Sequence, residues 1–252
     1  MSKELATLVR AKGDSRLKKP AQLRRRRVKT KSPYLGLAVT GLAVFVAWAT
    51  PGFSQASGSL SRQELTRSLV AAAVERPRHE VTYDPGYLSI AYPGGDVPAD
   101  SGVCSDEIIR IYRAAGIDLQ KEVHEDIVRD PSAYPLMSRW RQKHPDRNID
   151  HRRVANLMVF FSRKGEELPI TSQAKDYLPG DLVTWDLANG AIHIGIVVDQ
   201  KGPLTGRYMI VHNIGAGPKM EDVLFDWKVT GHYRYFGPPQ PAPAPASPRK
   251  TR

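Results

Sequence analysis

Ile192-His193-Ile194-Gly195-Ile196-Val197-Val198 is the stretch on which the fold turns. Ile192, Ile194, Ile196 and Val198 alternate with His193, Gly195 and Val197, the period of two that marks a strand with one apolar face. His193 then stands on the face opposite the isoleucines. Gly195, on that same face, leaves room for another element to come close. Upstream, Pro179-Gly180 turns into a short strand, Asp181 to Asp186. Downstream, Lys201-Gly202-Pro203 and Gly206 mark a loop that leads into a strand from Tyr208 to His212, and Gly231 to Phe236 reads as the last strand.

Before these strands the period is helical. Ile108, Ile111, Tyr112 and Ala115 form one apolar helix face after Cys104, with Gly116 placed to cap the C-terminus. Val154, Leu157, Met158 and Phe161 repeat the pattern over 151–163, ahead of Gly165, with Asp150 as the expected N-cap. Leu65, Leu69, Val70 and Ala73 mark a leading helix within 57–81 that ends at Pro77. Helices first and antiparallel strands after predict an α+β domain over 82–237, its helical part packed on an antiparallel β-sheet. Residues 238–252 form a Pro/Ala-rich tail of extended, polyproline-like composition.

The chain of 252 residues carries a net charge of +11, but the excess is local. Residues 1–56 hold 12 Lys+Arg against two acids, so they account for +10. The basic balance is therefore no sign of a nucleic-acid partner. Basic Arg24–Lys31, apolar Tyr34–Ala49 and small Ser54-Gln55-Ala56 follow the order of an export signal. The expectation is a protein delivered to the periplasm or cell envelope. The leader is either cleaved after Ala56 or retained as an anchor over 34–50, which would be the only membrane contact.

One cysteine, Cys104, cannot form an intrachain disulfide, and a lone thiol in an exported protein points to reactivity or to burial. Cys104 stands where Gly102-Val103 meets the first turn of a helix. There the dipole and unpaired N–H groups favour a thiolate and an oxyanion, while Asp106 and Glu107 oppose ionisation of the thiol. His193 is the candidate base, expected to face the Cys104 helix, and His212 on the next strand is placed to hold its ring. Asn213 is an alternative orienter, although it points to the opposite face of an ideal strand. Two His and one Cys could instead bind zinc, but no short ligand spacing is present, so neither metal nor cofactor is expected. His151, Arg152 and Arg153 could line a groove for acidic groups, and Trp185 could border a substrate. His124, His144 and His232 read as structural.

Together these residues resemble the NlpC/p60-like cell-wall cysteine peptidases. The resemblance lies in Tyr92-Pro93-Gly94-Gly95, Cys104-Ser105, Pro179-Gly180-Asp181-Leu182-Val183, His193-Ile194-Gly195-Ile196 and Val211-His212, in that order. More narrowly, Gly102-Val103-Cys104, Asp118-Leu119-Gln120, Asn148 through Val154 and His212-Asn213-Ile214-Gly215 resemble the bacterial envelope family called domain of unknown function 1287, a name that adds no reaction. The resemblance implies a papain-like fold and a cysteine hydrolase acting on a peptide or amide bond in peptidoglycan or its peptides. In that scheme Cys104 is the nucleophile, His193 the base and His212 its orienter, with Tyr92 beside the nucleophile and Asp106 in a supporting place. Val103 and Asp106 depart from that pattern, as does the insertion over about 120–178. Two other classes fit the same residues: a non-catalytic binder of peptidoglycan or protein, and an acyltransferase or thioesterase.

Overall fold

The structure is a computed structural model and describes residues 61–188 and 190–238. The basic leader and all but the first residue of the Pro/Ala tail lie outside the described residues. No helix among the described residues is long and apolar enough to cross a membrane.

Helix α1 (Arg62–Glu75) starts at Ser61, whose hydroxyl accepts the Glu64 N–H while the Glu64 carboxylate accepts the Ser61 N–H. It buries Leu65, Leu69, Val70 and Ala73, the four residues its spacing marks. A 3₁₀ turn through Pro77 ends it. Two short strands, β1 (Thr82–Tyr83) and β2 (Ser101–Gly102), pair in parallel and deliver the chain to α2 (Cys104–Ala114). Ile108, Ile109, Ile111 and Tyr112 of α2 are buried, each contributing roughly 1.5–3 kcal/mol of apolar burial.

The insertion is largely helical. It contributes α3 (Leu119–Arg129), capped by the Asp118 carboxylate, then α4 (Leu136–Trp140) and α5 (Val154–Lys164). Asp150 caps no helix: it opens a 3₁₀ turn, and its buried carboxylate accepts from Gln142 and the Asp146 N–H and pairs with His124. It is the anchor of a folded loop, which the spacing before α5 does not reveal.

Strands β3 (Glu166–Glu167), β4 (Leu182–Asp186), β5 (Ile192–Lys201), β6 (Tyr208–Asn213), β7 (Pro218–Glu221) and β8 (Lys228–Arg234) form one sheet. Its order is β3-β8-β4-β5-β6-β7, and every pairing is antiparallel. The expected α+β order therefore holds. The sheet has two apolar faces. Ile194, Ile196, Val198 and Val211 pack with Cys104, Ile108 and Ile111. Val183, Trp185, Val197 and Ile210 form a second core with Tyr177 and Leu224.

Two ion pairs seat α2. Arg76 Nε meets Glu107 at 2.6 Å, and Arg152 meets Asp106 at 2.8 Å with both side chains almost wholly buried. Breaking a buried pair strands a charge, at a cost of about 3–5 kcal/mol. Asp106→Asn should accordingly lower the urea midpoint by an amount equivalent to that cost. Asp130→Asn, at a solvent-screened pair with Arg163, should leave it nearly unchanged. Equal effects from the two would show that the buried pair does not seat the helix.

Candidate active site

Cys104 is the first residue of α2. The backbone arrives extended at Val103, whose N–H donates to Asp106 Oδ2 at 2.8 Å. Ser105 Oγ donates to the Arg152 carbonyl at 2.6 Å, and the Arg152 guanidinium grips both Asp106 oxygens at 2.8 and 3.0 Å. Gly102 (φ +153°) is confined as well, because a Cβ there would lie 3.1 Å from Asp106 Cβ and Oδ2. The first turn is therefore rigid.

Cys104 is 4% exposed, and burial pushes its thiol up to about 12. The nearby backbone of Ile194, Ser105 and Cys104 itself favours the thiolate, while the Asp106 charge opposes it; burial outweighs the favourable effects. A preformed thiolate, expected if the helix dipole dominated, is thus not the resting state. Tyr83 closes over the sulfur: burial pushes its phenol up to about 12, and the Cys104 and Asp106 charges add to the effect.

His193 Nε2 lies 2.8 Å from His212 Nδ1, and His212 Nε2 lies 3.1 Å from Glu221 Oε2. The carboxylate can only accept, so His212 Nε2–H donates to it. The Nδ1 of a neutral His212 then accepts, and His193 Nε2–H donates. The lone pair of His193 is left on Nδ1. Burial holds His193 down to about 3, with the neighbouring His212 adding to the effect, so this imidazole is neutral. Burial also lowers His212, and Glu221 partly offsets it. Gly195 makes the pair possible. It lies opposite His212, and a Cβ there would come 2.6 Å from Ile210 Cγ2 and 3.2 Å from His212 Cβ. Glu221 escaped the sequence reading, because its place beside His212 depends on the β6–β7 pairing, which no residue pattern announces.

The geometry corrects several expectations. His193 does not face α2: it stands on the other side of the sheet, its ring centroid 5.7 Å from Trp185 and 6.0 Å from Trp227. The apolar helix face took the apolar strand face, and the polar alternates went to the reverse. Cys104 still reaches β5, because its sulfur meets the main chain of Ile194, the residue after His193. Among the described residues no hydrogen bond joins Cys104 to either histidine.

Tyr92 is not beside the sulfur. It packs edge-on against His124, 5.3 Å between centroids, and Tyr83 holds the place expected of it. Trp185 is fully buried, its Nε1–H donating to the Leu224 carbonyl at 2.9 Å, so it supports His193 from within the second core. Arg152 is committed to Asp106 and to the Gly86 and Asp84 carbonyls. His151 is buried with Nδ1 unpartnered, and burial holds it down to about 3. Arg152 lines the cleft over Cys104 with its charge already paired, and neither residue offers a free cation to an acidic group. Asn213 Oδ1 accepts the Gly215 N–H and does not orient His193. His124 and His232 do have partners, the carboxylates of Asp150 and Asp181. No group of three or more His, Cys, Asp and Glu among the described residues is arranged to hold a metal ion.

A cavity of about 210 Å³ opens over Cys104, walled by Tyr83, Trp140, Arg139, Arg153 and Ile192. The arrangement supplies a thiol at a helix start, a neutral imidazole with a directed partner chain on the reverse face of β5, and a cleft lined by the cysteine.

The "Uncharacterized protein YijF" of Escherichia coli (strain K12) is 51% identical over 154 residues, which is 61% of this chain and 74% of that protein. The family described as "Domain of unknown function (DUF1287)" matches residues 70–235, a span that holds Cys104, His193, His212 and Glu221 together, and the chain belongs to that family.

Proposed function

We propose that this protein is an exported cysteine hydrolase of papain-like, NlpC-type organisation that cleaves a peptide or amide bond in peptidoglycan stem peptides. One observation carries the reading. The hydrogen bonds from His193 through His212 to Glu221 leave a lone pair on His193 Nδ1, one residue from the main chain that the Cys104 sulfur touches. The order of the leader and the resemblance of the motifs supply the substrate and the compartment.

The chemistry follows from the groups present. Cys104 Sγ bonds to the carbonyl carbon as its proton passes through water to His193 Nδ1, which lies on the reverse face of β5, and the N–H groups of the first α2 turn hold the oxyanion. The C–N bond then breaks, and the amine leaves with that proton. Water adds to the thioester and gives its proton to the same nitrogen, which returns it to the departing sulfur. His212 and Glu221 fix the tautomer throughout. The burial of Cys104 favours a second reading, a non-catalytic binding module on the same fold.

Purified sacculi separate these readings. The wild type should release new stem-peptide fragments, read by mass spectrometry. Cys104→Ala should release none, and His193→Ala should lose about 10²–10⁴-fold. Sacculi left intact by the wild type would sink the hydrolase. Acyl transfer to an added amine without hydrolysis would make the protein a transferase.

The resting pair sets the pH behaviour. With the thiol pushed up to about 12, alkylation by iodoacetamide should climb roughly tenfold per pH unit from pH 7 to 10. A preformed thiolate would instead give a flat rate. With His193 held down to about 3, the base stays unprotonated at neutral pH, so the acid limb of kcat/KM should fall below pH 5. A limb near pH 6.5 would contradict this site. Gly195→Ala should displace His212 and lower kcat while leaving the alkylation profile unchanged.

A further inference from the structure

We propose that the cleft over Cys104 receives a substrate carrying a free carboxylate next to the bond presented to the sulfur. The inference rests on reading Cys104 as the reacting group and adds the chemical class of what it meets. Three arginines and no acidic residue line the cavity. Arg152 is already neutralised by Asp106. The other two are not. Arg153 donates to the amide oxygen of Gln142, and Arg139 donates to the Gly190 carbonyl at 3.1 Å, both neutral acceptors. Neither forms an ion pair with a carboxylate among the described residues.

Trp140 holds these two guanidiniums at the cleft. The Arg153 guanidinium carbon lies 4.4 Å from the indole centroid, and that of Arg139 lies 5.8 Å away. Stacking of this kind fixes a guanidinium plane while leaving its N–H edge open. Arg153 is half-buried, and burial lowers its pKa, with Asp150 and Asp146 offsetting this only in part. A partly desolvated cation without a paired anion is an unfavourable resting arrangement. A planar, forked donor matches a carboxylate in charge and in shape.

The cleft also has room for more than one group. A neighbouring cavity of about 370 Å³ shares Val103, Trp140, Arg152 and Arg153 and runs on to Tyr87. Arg153 and Trp140 thus line both the cavity over Cys104 and this second cavity, which has room for more of a substrate.

Two alkylating reagents of nearly equal size test this without requiring turnover: iodoacetate, an anion, and iodoacetamide, which is neutral. In both, the Cys104 thiolate displaces iodide. The iodoacetate-to-iodoacetamide rate ratio is measured on the full chain at pH 9 and divided by the same ratio for the urea-unfolded chain. The wild type should give a normalised ratio of about ten, falling toward one in 0.5 M salt as the attraction is screened. Arg153→Gln and Arg139→Gln should each lower the ratio. Arg139 is exposed, so its variant keeps the test intact if Arg153→Gln does not fold. A wild-type ratio of one or less overturns the inference. Digestion of sacculi alongside a ratio of one removes the carboxylate and leaves the hydrolase standing. A raised ratio with intact sacculi removes the hydrolase and leaves an anion-binding cleft.

Discussion

The Arg152–Asp106 pair governs what the rest of the molecule can do. Arg152 leaves the 3₁₀ turn before α5, crosses to the first turn of α2, and continues to the Asp84 and Gly86 carbonyls. One guanidinium therefore ties the insertion, the segment after β1 and the start of α2. It also neutralises Asp106, the acid that most directly opposes charge on the Cys104 sulfur. Without the pair, a buried carboxylate would sit two residues from the thiol, and both stability and chemistry would suffer from the same defect.

Electrostatics at the site depend on burial more than on partners. The thiol and the His193 ring are each driven toward neutrality, one upward and one downward. The N–H groups at the helix start pull the thiol the other way without overcoming the loss of water, and His212 adds to the lowering of His193. The proton accordingly rests on sulfur. In the hydrolase proposed for this site, a bound substrate with its developing oxyanion would have to drive charge separation.

How far the sequence reveals this depends on the kind of interaction. Period-two and helical patterns located β4, β5, β6, β8, α1, α2 and α5, because apolar burial imposes a periodicity on the chain. The pairing of His193 with His212 was legible for a similar reason: adjacent antiparallel strands bring their polar alternates together, and Gly195 marked the close approach. The face was misread. A polar residue was assigned to the helix side, whereas the isoleucine face of β5 is the one that buries α2. Tyr83 and the Asp106–Arg152 pair join segments distant in the chain with no periodic trace, and Glu221 reaches His212 through a β6–β7 pairing that no residue pattern announces. Arg152 and Trp185 looked available because composition carries no information about burial.

The two sides of β5 divide the work in a way that explains the position of the sulfur. The isoleucine side holds α2 by apolar contact, and the reverse side holds the histidines between Trp185 and Trp227. A residue in the middle of α2 could meet only the isoleucines. Cys104, the first residue of the helix, lies near the strand's main chain at Ile194. A nucleophile one turn later would be sealed behind the sheet, and one residue earlier it would lose the N–H groups of the helix start. The chain's one cysteine stands at the helix terminus and beside the main chain of the residue next to His193. Burial alone does not require a thiol there, since α2 buries Ile108, Ile109 and Ile111 without one.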